Sequence, residues 1–148
     1  MNDLLRQFWE WIEMTPEQYA NEKENIADDK SEFFFPQFTE LIKYAEYIVD
    51  KNSLSESEIN DLLTIVALDN EAESVLEYVE SRSSDEQIES IVFQGMSHIQ
   101  PNARWQLAEL IYRRKVTDYR VKLTSLSEDE HPYVRKRALN CLNYLNEA

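Results

Sequence analysis

Pro132-Tyr133-Val134-Arg135-Lys136-Arg137-Ala138-Leu139-Asn140-Cys141-Leu142, moved back by 31 residues, falls on Pro101-Asn102-Ala103-Arg104-Trp105-Gln106-Leu107-Ala108-Glu109-Leu110-Ile111. Proline meets proline and arginine meets arginine. Both prolines suit the first turn of a helix, where a missing N–H leaves no bond unmade. The register runs further back: Ala72, Ala103 and Val134 align, as do Ala45, Leu76, Leu107 and Ala138, and Ile48, Val79, Leu110 and Cys141. These columns are four and three residues apart, so they form one apolar stripe on a helix. A 31-residue unit cannot bury such a stripe alone, whereas stacked neighbours can. The expected fold is all-α, a stack of helical hairpins.

Outward from that stretch, apolar residues recur at helical spacing almost throughout. Thr15-Pro16-Glu17-Gln18 and Ser55-Glu56-Ser57-Glu58 read as capping boxes that open helices. Pro36 is expected to open another helix, carrying Phe38, Leu41, Ile42, Ala45 and Ile48. The second helix is expected to end near Ile26, with a loop from Ala27 to Phe35. Helix is expected to resume at Ala72 after a break at Asp69-Asn70. The register fades before Pro36, so residues 1–35 read as a helical cap and residues 36–148 as repeats of one domain. Phe8, Trp9, Trp11 and Phe33-Phe34-Phe35 are expected to close the open end of the stack.

Composition agrees with helix. The chain has 148 residues, one glycine and a 43% hydrophobic content. Sheets of tight hairpins use glycine freely; helical hairpins need it less. Cys141 is the only cysteine, which excludes an intrachain disulfide and fits a reducing, cytoplasmic setting. The first fourteen residues lack a basic start and a continuous apolar run, so no secretory signal is expected. No run of about 18 apolar residues is present, so no membrane span is expected.

Charge is uneven. Residues 1–100 carry 23 acids and 6 bases, residues 101–148 carry 6 and 9, giving −17 and +3. Such a field disfavours nucleic acid over most of the surface and favours a basic partner. The basic end (Arg104, Arg113, Arg114, Lys115, Arg120, Lys122, Arg135, Lys136, Arg137) keeps open a second reading, nucleic-acid binding.

Asp129-Glu130-His131-Pro132-Tyr133-Val134-Arg135-Lys136-Arg137-Ala138-Leu139 resembles the turn and second helix of a HEAT repeat: an acidic turn, then Val-Arg, then Ala-Leu. Pro101 to Ile111 is a weaker copy, and Asn70 to Val79 a poor one, with Glu73 in the arginine's place. The resemblance covers roughly residues 36–146. It implies a right-handed α-α superhelix whose second helices line a concave face. It also implies a ladder between a turn acid and a helix arginine, positions that Asp129 and Arg135 occupy. It says little of function, because the family is a scaffold for many partners.

No catalytic, cofactor or metal site is expected. His98 and His131 have no partner at ligand spacing. Cys141 falls in a buried column, and no glycine-rich phosphate loop or Gly-x-Ser-x-Gly elbow is present. Carboxylate pairs such as Asp28-Asp29 precede helices and read as favourable charges at helix starts. Glu73, Glu77 and Glu80 lie at i, i+4 and i+7, an acidic stripe expected to face a partner. Arg104, Trp105 and Arg135 complete the expected partner-binding set. A small acidic scaffold of this kind is similar to bacterial immunity proteins, which implies a basic toxin domain, such as a nuclease, as partner. An assembly adaptor is the remaining alternative. A monomer is favoured over an oligomer.

Overall fold

Nine α-helices and one 3-10 turn, without a strand, make up the described residues of the computed structural model, residues 1–22 and 31–147. They are α1 (Asp3–Ile12), α2 (Pro16–Glu22), a 3-10 turn at Glu32–Phe34, α3 (Phe38–Val49), α4 (Glu56–Leu68), α5 (Ser74–Arg82), α6 (Asp85–Gly95), α7 (Pro101–Arg114), α8 (Tyr119–Leu126) and α9 (Pro132–Glu147). The all-α expectation holds. The expected helix end near Ile26, the first part of the loop, and Asp28-Asp29 lie outside the described residues.

Local chemistry sets most helix starts. Thr15 and Gln18 bond each other's backbone N–H at 2.8 and 3.1 Å. Ser55 and Glu58 form the second expected box, and Ser84 with Gln87 forms a third that the sequence reading passed over. Each box satisfies donors that a helix N-terminus otherwise leaves free. Two starts differ from expectation. Pro36 lies in a turn after the 3-10 residues, and α3 begins at Phe38. α5 begins at Ser74, because Glu73 takes a left-handed conformation (φ 55°) and Asp69 Oδ2 caps the helix through Val75 N–H at 2.9 Å and Ser74 Oγ at 2.8 Å.

The helices pack in the order of the repeat. α3, α5, α7 and α9 each touch the next, forming one layer, and α4, α6 and α8 pack against it. Two columns are buried along their whole length: Ala45, Leu76, Leu107 and Ala138, then Ile48, Val79, Leu110 and Cys141. In the third column Ala103 and Val134 are buried, but Ala72 is exposed, since it precedes the delayed start of α5. α4 departs from a regular repeat. It contacts α3, α5, α6 and α7, and its residues 61–68, with Asp69 just after it, are all buried. Buried Gln106 of α7 donates to Val66 O at 2.8 Å, fixing α7 against α4.

The N-terminal pair is held by an aromatic cluster. Phe8 meets Trp9 and Phe35 edge-on, with centroids 5.0 and 5.4 Å apart, and Trp9 meets Tyr19 at 5.5 Å. Edge-to-face packing suits the ring quadrupoles. Only Phe35 of the phenylalanine triplet joins this cluster; Phe33 and Phe34 stack on each other in solvent, each about half exposed. Nor does the pair sit solely at the α3 end. α1 contacts α3, while Gln100 Nε2, just before α7, donates to Pro16 O of α2 at 2.8 Å.

Candidate functional site

Arg104 and Arg135 occupy equivalent places and repeat one local clamp. Arg104 Nη1 donates to the carbonyls of His98 and Ile99, at 2.6 and 3.2 Å. Arg135 Nη1 donates to those of Asp129 and Glu130, at 2.8 and 3.1 Å. Each arginine thus ties down the turn that precedes its own helix. Arg104 does more: its Nε and Nη2 hold both carboxylate oxygens of Asp129, at 2.9 and 3.1 Å. The ladder is therefore present, with the arginine of one unit gripping the turn acid of the next. Asp129 reaches Arg135 only through its carbonyl. Burial pushes the Asp129 carboxyl up, but hydrogen bonds from Arg104 and His131 N–H, with the Arg104 charge, outweigh it and leave the pKa below the ordinary carboxylate value.

His98 belongs to the same node. It is 5% exposed. Its Nδ1 accepts from Gln100 N–H at 3.1 Å, so Nε2 carries the proton, 3.3 Å from Thr64 Oγ1. Burial, and then the neighbouring Arg104 charge, push its pKa down to about 4. A neutral, fully engaged imidazole of this kind holds a turn in place.

A second ladder crosses the layer of α3, α5, α7 and α9. Arg82 of α5 lies 3.8 Å from Asp50 after α3; Arg113 of α7 lies 3.0 Å from Glu80 of α5; Arg137 of α9 lies 2.5 Å from Glu109 of α7. Each arginine follows its acid by about one repeat. This breaks up the expected acidic stripe. Glu80 is paired with Arg113, and its carbonyl accepts from Arg114 at 2.7 Å. Glu73, left-handed just before α5, makes no capping bond and does not continue the helix face. Glu77 alone is exposed with no cation partner among the described residues. Trp105, too, faces inward: it is 6% exposed, packed edge-on against Tyr133 at 5.3 Å and under the Arg137 guanidinium at 4.7 Å. Arg104, Trp105 and Glu80 thus knit the protein together.

Tyrosines that the sequence reading missed lie on the same layer. Tyr47 of α3 is 63% exposed, and Tyr78 of α5 follows it by one repeat. Lys51 sits 5.8 Å from the Tyr47 ring, Arg82 4.7 Å from the Tyr78 ring, and Lys115 3.9 Å from the Tyr112 ring. The 31-residue spacing of Tyr47 and Tyr78 was the available signal. Tyr78 donates to Asp50 at 2.7 Å, and that bond first, with Glu46 adding, raises its pKa. Glu46, Tyr47, Glu77 and Tyr78 thus compose an acidic and aromatic surface on α3 and α5.

The cations of the C-terminal third are mostly engaged. Besides the pairs above, Arg114 binds Asp85 at 2.6 Å and Lys122 lies 3.7 Å from Glu89. In contrast, Glu10, Glu13, Glu17, Glu40, Glu46, Glu56, Glu71, Glu77 and Glu86 make no ion pair among the described residues. Cys141 is buried, and burial raises its thiol to about 11, far from a nucleophile's range. Among the described residues no group of three His, Cys, Asp or Glu is placed to hold a metal, and no helix is long and apolar enough to cross a membrane.

No family model, no curated protein and no solved structure matches this chain. Function therefore rests on the residues themselves.

Proposed function

We propose that the chain is a non-enzymatic binding protein, a right-handed superhelix of HEAT-like hairpins that takes a basic protein partner on an acidic surface. One observation carries the reading. Five of the six C-terminal arginines are spent on internal clamps, while most of the unpaired acids of the first 86 residues remain in solvent, with Tyr47 exposed among them. Tyrosine supplies contact area at low entropic cost, and unpaired acids steer a cationic partner toward it. Glu46, Tyr47, Glu77 and Tyr78 form the contact. An acidic, cytoplasmic immunity protein that blocks a cationic toxin domain is the specific form we favour. Nucleic-acid binding is the weaker reading, because the arginines it needs already hold Asp129, Glu80, Asp85 and Glu109.

The test is capture on the immobilised full chain from its native host at low salt. A basic protein should be retained, released by raising the salt, and lose its toxic or nuclease activity when the chain is added back. Retention of acidic proteins alone, or of a basic one whose activity is unaffected, would refute the immunity form.

A further inference from the structure

Residues of α4, α6 and α8, with Leu54 just before α4, line a cleft of about 490 Å³; Glu56, Ile59, Glu89, Phe93 and Lys122 are among them. Phe93 is 82% exposed, the most exposed large apolar side chain among the described residues. Among the described residues it belongs neither to the buried core nor to the apolar side chains packed against that core. It stands one turn beyond Glu89 on α6, and Gln94, next to it, bonds Glu56 O at 2.7 Å, which holds the rim of α6 against the start of α4. The cleft floor is apolar, with Ile59 buried and Leu54 partly so. Its charges are unequal. Lys122 is shared with Glu89, whose carboxylate also accepts from Thr117 N–H at 2.8 Å. Glu56 is exposed and has no cation among the described residues. An occupant therefore meets an apolar floor, an aromatic rim and one unneutralised carboxylate.

The geometry points to a second docking site, distinct from the α3–α5 surface, that takes a linear basic segment through one large apolar anchor and one lysine or arginine. The volume admits a leucine- or tryptophan-sized side chain with the stem of a long cation. The anchor packs on Phe93 and Ile59, and the cation pairs with Glu56. Burying an apolar anchor of that size removes its surface from water, which drives the docking. The cation is the part that selects, since an acidic segment would leave Glu56 facing a like charge. This goes beyond the proposed function: it concerns a flexible segment rather than a folded surface, and none of the residues lining it belongs to α3 or α5.

The probe is a fluorescently labelled 14-residue peptide of leucine and lysine at helical spacing, with a lysine–glycine peptide of equal charge as control. Titrated with the full chain at low salt, the leucine–lysine peptide should bind at least tenfold more tightly than the control. Phe93→Ala and Glu56→Lys should each weaken it at least tenfold, and Glu10→Lys, at an exposed acid of α1 that belongs to neither surface, should leave it unchanged. Both cleft positions are exposed, and far-ultraviolet circular dichroism of each variant checks that the fold is kept. Equal binding of the two peptides would overturn the cleft as an apolar anchor site. A loss with Glu77→Lys but not with Glu56→Lys would overturn it in favour of the α3–α5 surface. Absence of binding to either peptide would overturn it outright.

Discussion

Arg104 and Asp129 are joined by two hydrogen bonds across 25 residues of sequence, whereas the same two nitrogens of Arg135, one repeat later, meet no acceptor among the described residues. The difference is one of position. Arg104 has a following unit to grip; Arg135 sits on the last helix described. One residue type in one register thus does two amounts of structural work.

That difference is measurable. Arg104→Ala strands a carboxylate that is 10% exposed and frees two carbonyls. Breaking such a buried pair costs about 3–5 kcal/mol. Arg135→Ala removes carbonyl bonds only and should cost about 1 kcal/mol. Urea denaturation of the two variants should separate them by at least 2 kcal/mol. Equal losses would mean that the Asp129 pair adds nothing.

Acid should undo the same node. His98 titrates near 4 in the fold against 6.5 in a free chain. The unfolded state therefore binds more protons between these values, so stability is full above about pH 6.5 and falls as pH drops toward 4. A drop of that size is worth roughly 3 kcal/mol. Below it, protonation of Asp129, whose pKa is also depressed, removes a further part. NMR should show the His98 ring neutral at pH 6, with the proton on Nε2. A midpoint near 6.5 would contradict the buried, engaged imidazole.

Glu77 and Glu80 should part company. Glu80→Lys sets a second cation against Arg113 and should cost about 1 kcal/mol, a fall of roughly 2–4 °C in the melting midpoint. Glu77→Lys touches no ion pair and should leave the midpoint within about 1 °C by calorimetry, since surface changes away from such features are small. Two equal falls would mean that the Glu80 pair is not formed in solution.

The phenylalanine triplet should split likewise. Phe35 is 3% exposed within the aromatic cluster. Phe35→Ala should cost about 3–5 kcal/mol, whereas Phe33→Ala and Phe34→Ala should each cost under about 1. Chemical denaturation of the three variants decides it. Comparable losses at Phe33 would place that ring inside the protein.

Much of this was legible because repeats print burial into sequence. The columns through Ala45 and Ile48 run buried to Ala138 and Cys141, and two capping boxes open the helices they announce. What was not legible depends on partners from other helices. Ala72 fits its column by residue type, yet Glu73 in a left-handed conformation delays the helix by two residues. Glu73, Glu77 and Glu80 match a helical face on paper, but Arg113 approaches Glu80 from 33 residues away. Asp129 pairs with the arginine before it, not the one after it. Such choices are made by packing between units, and spacing within a unit carries no trace of them. The complete burial of residues 61–69 has the same origin: only the helices surrounding α4 explain a buried Asp61, which accepts from Tyr44 at 3.0 Å.

The central claim, an acidic surface that takes a basic protein, is tested most directly by the association rate of the captured partner as a function of ionic strength. The rate should fall at least tenfold between about 20 and 300 mM salt, since screening shortens the reach of unpaired charges, and Glu77→Lys should lower it at 20 mM while dissociation changes little. A rate indifferent to salt and to Glu77→Lys would contradict the claim.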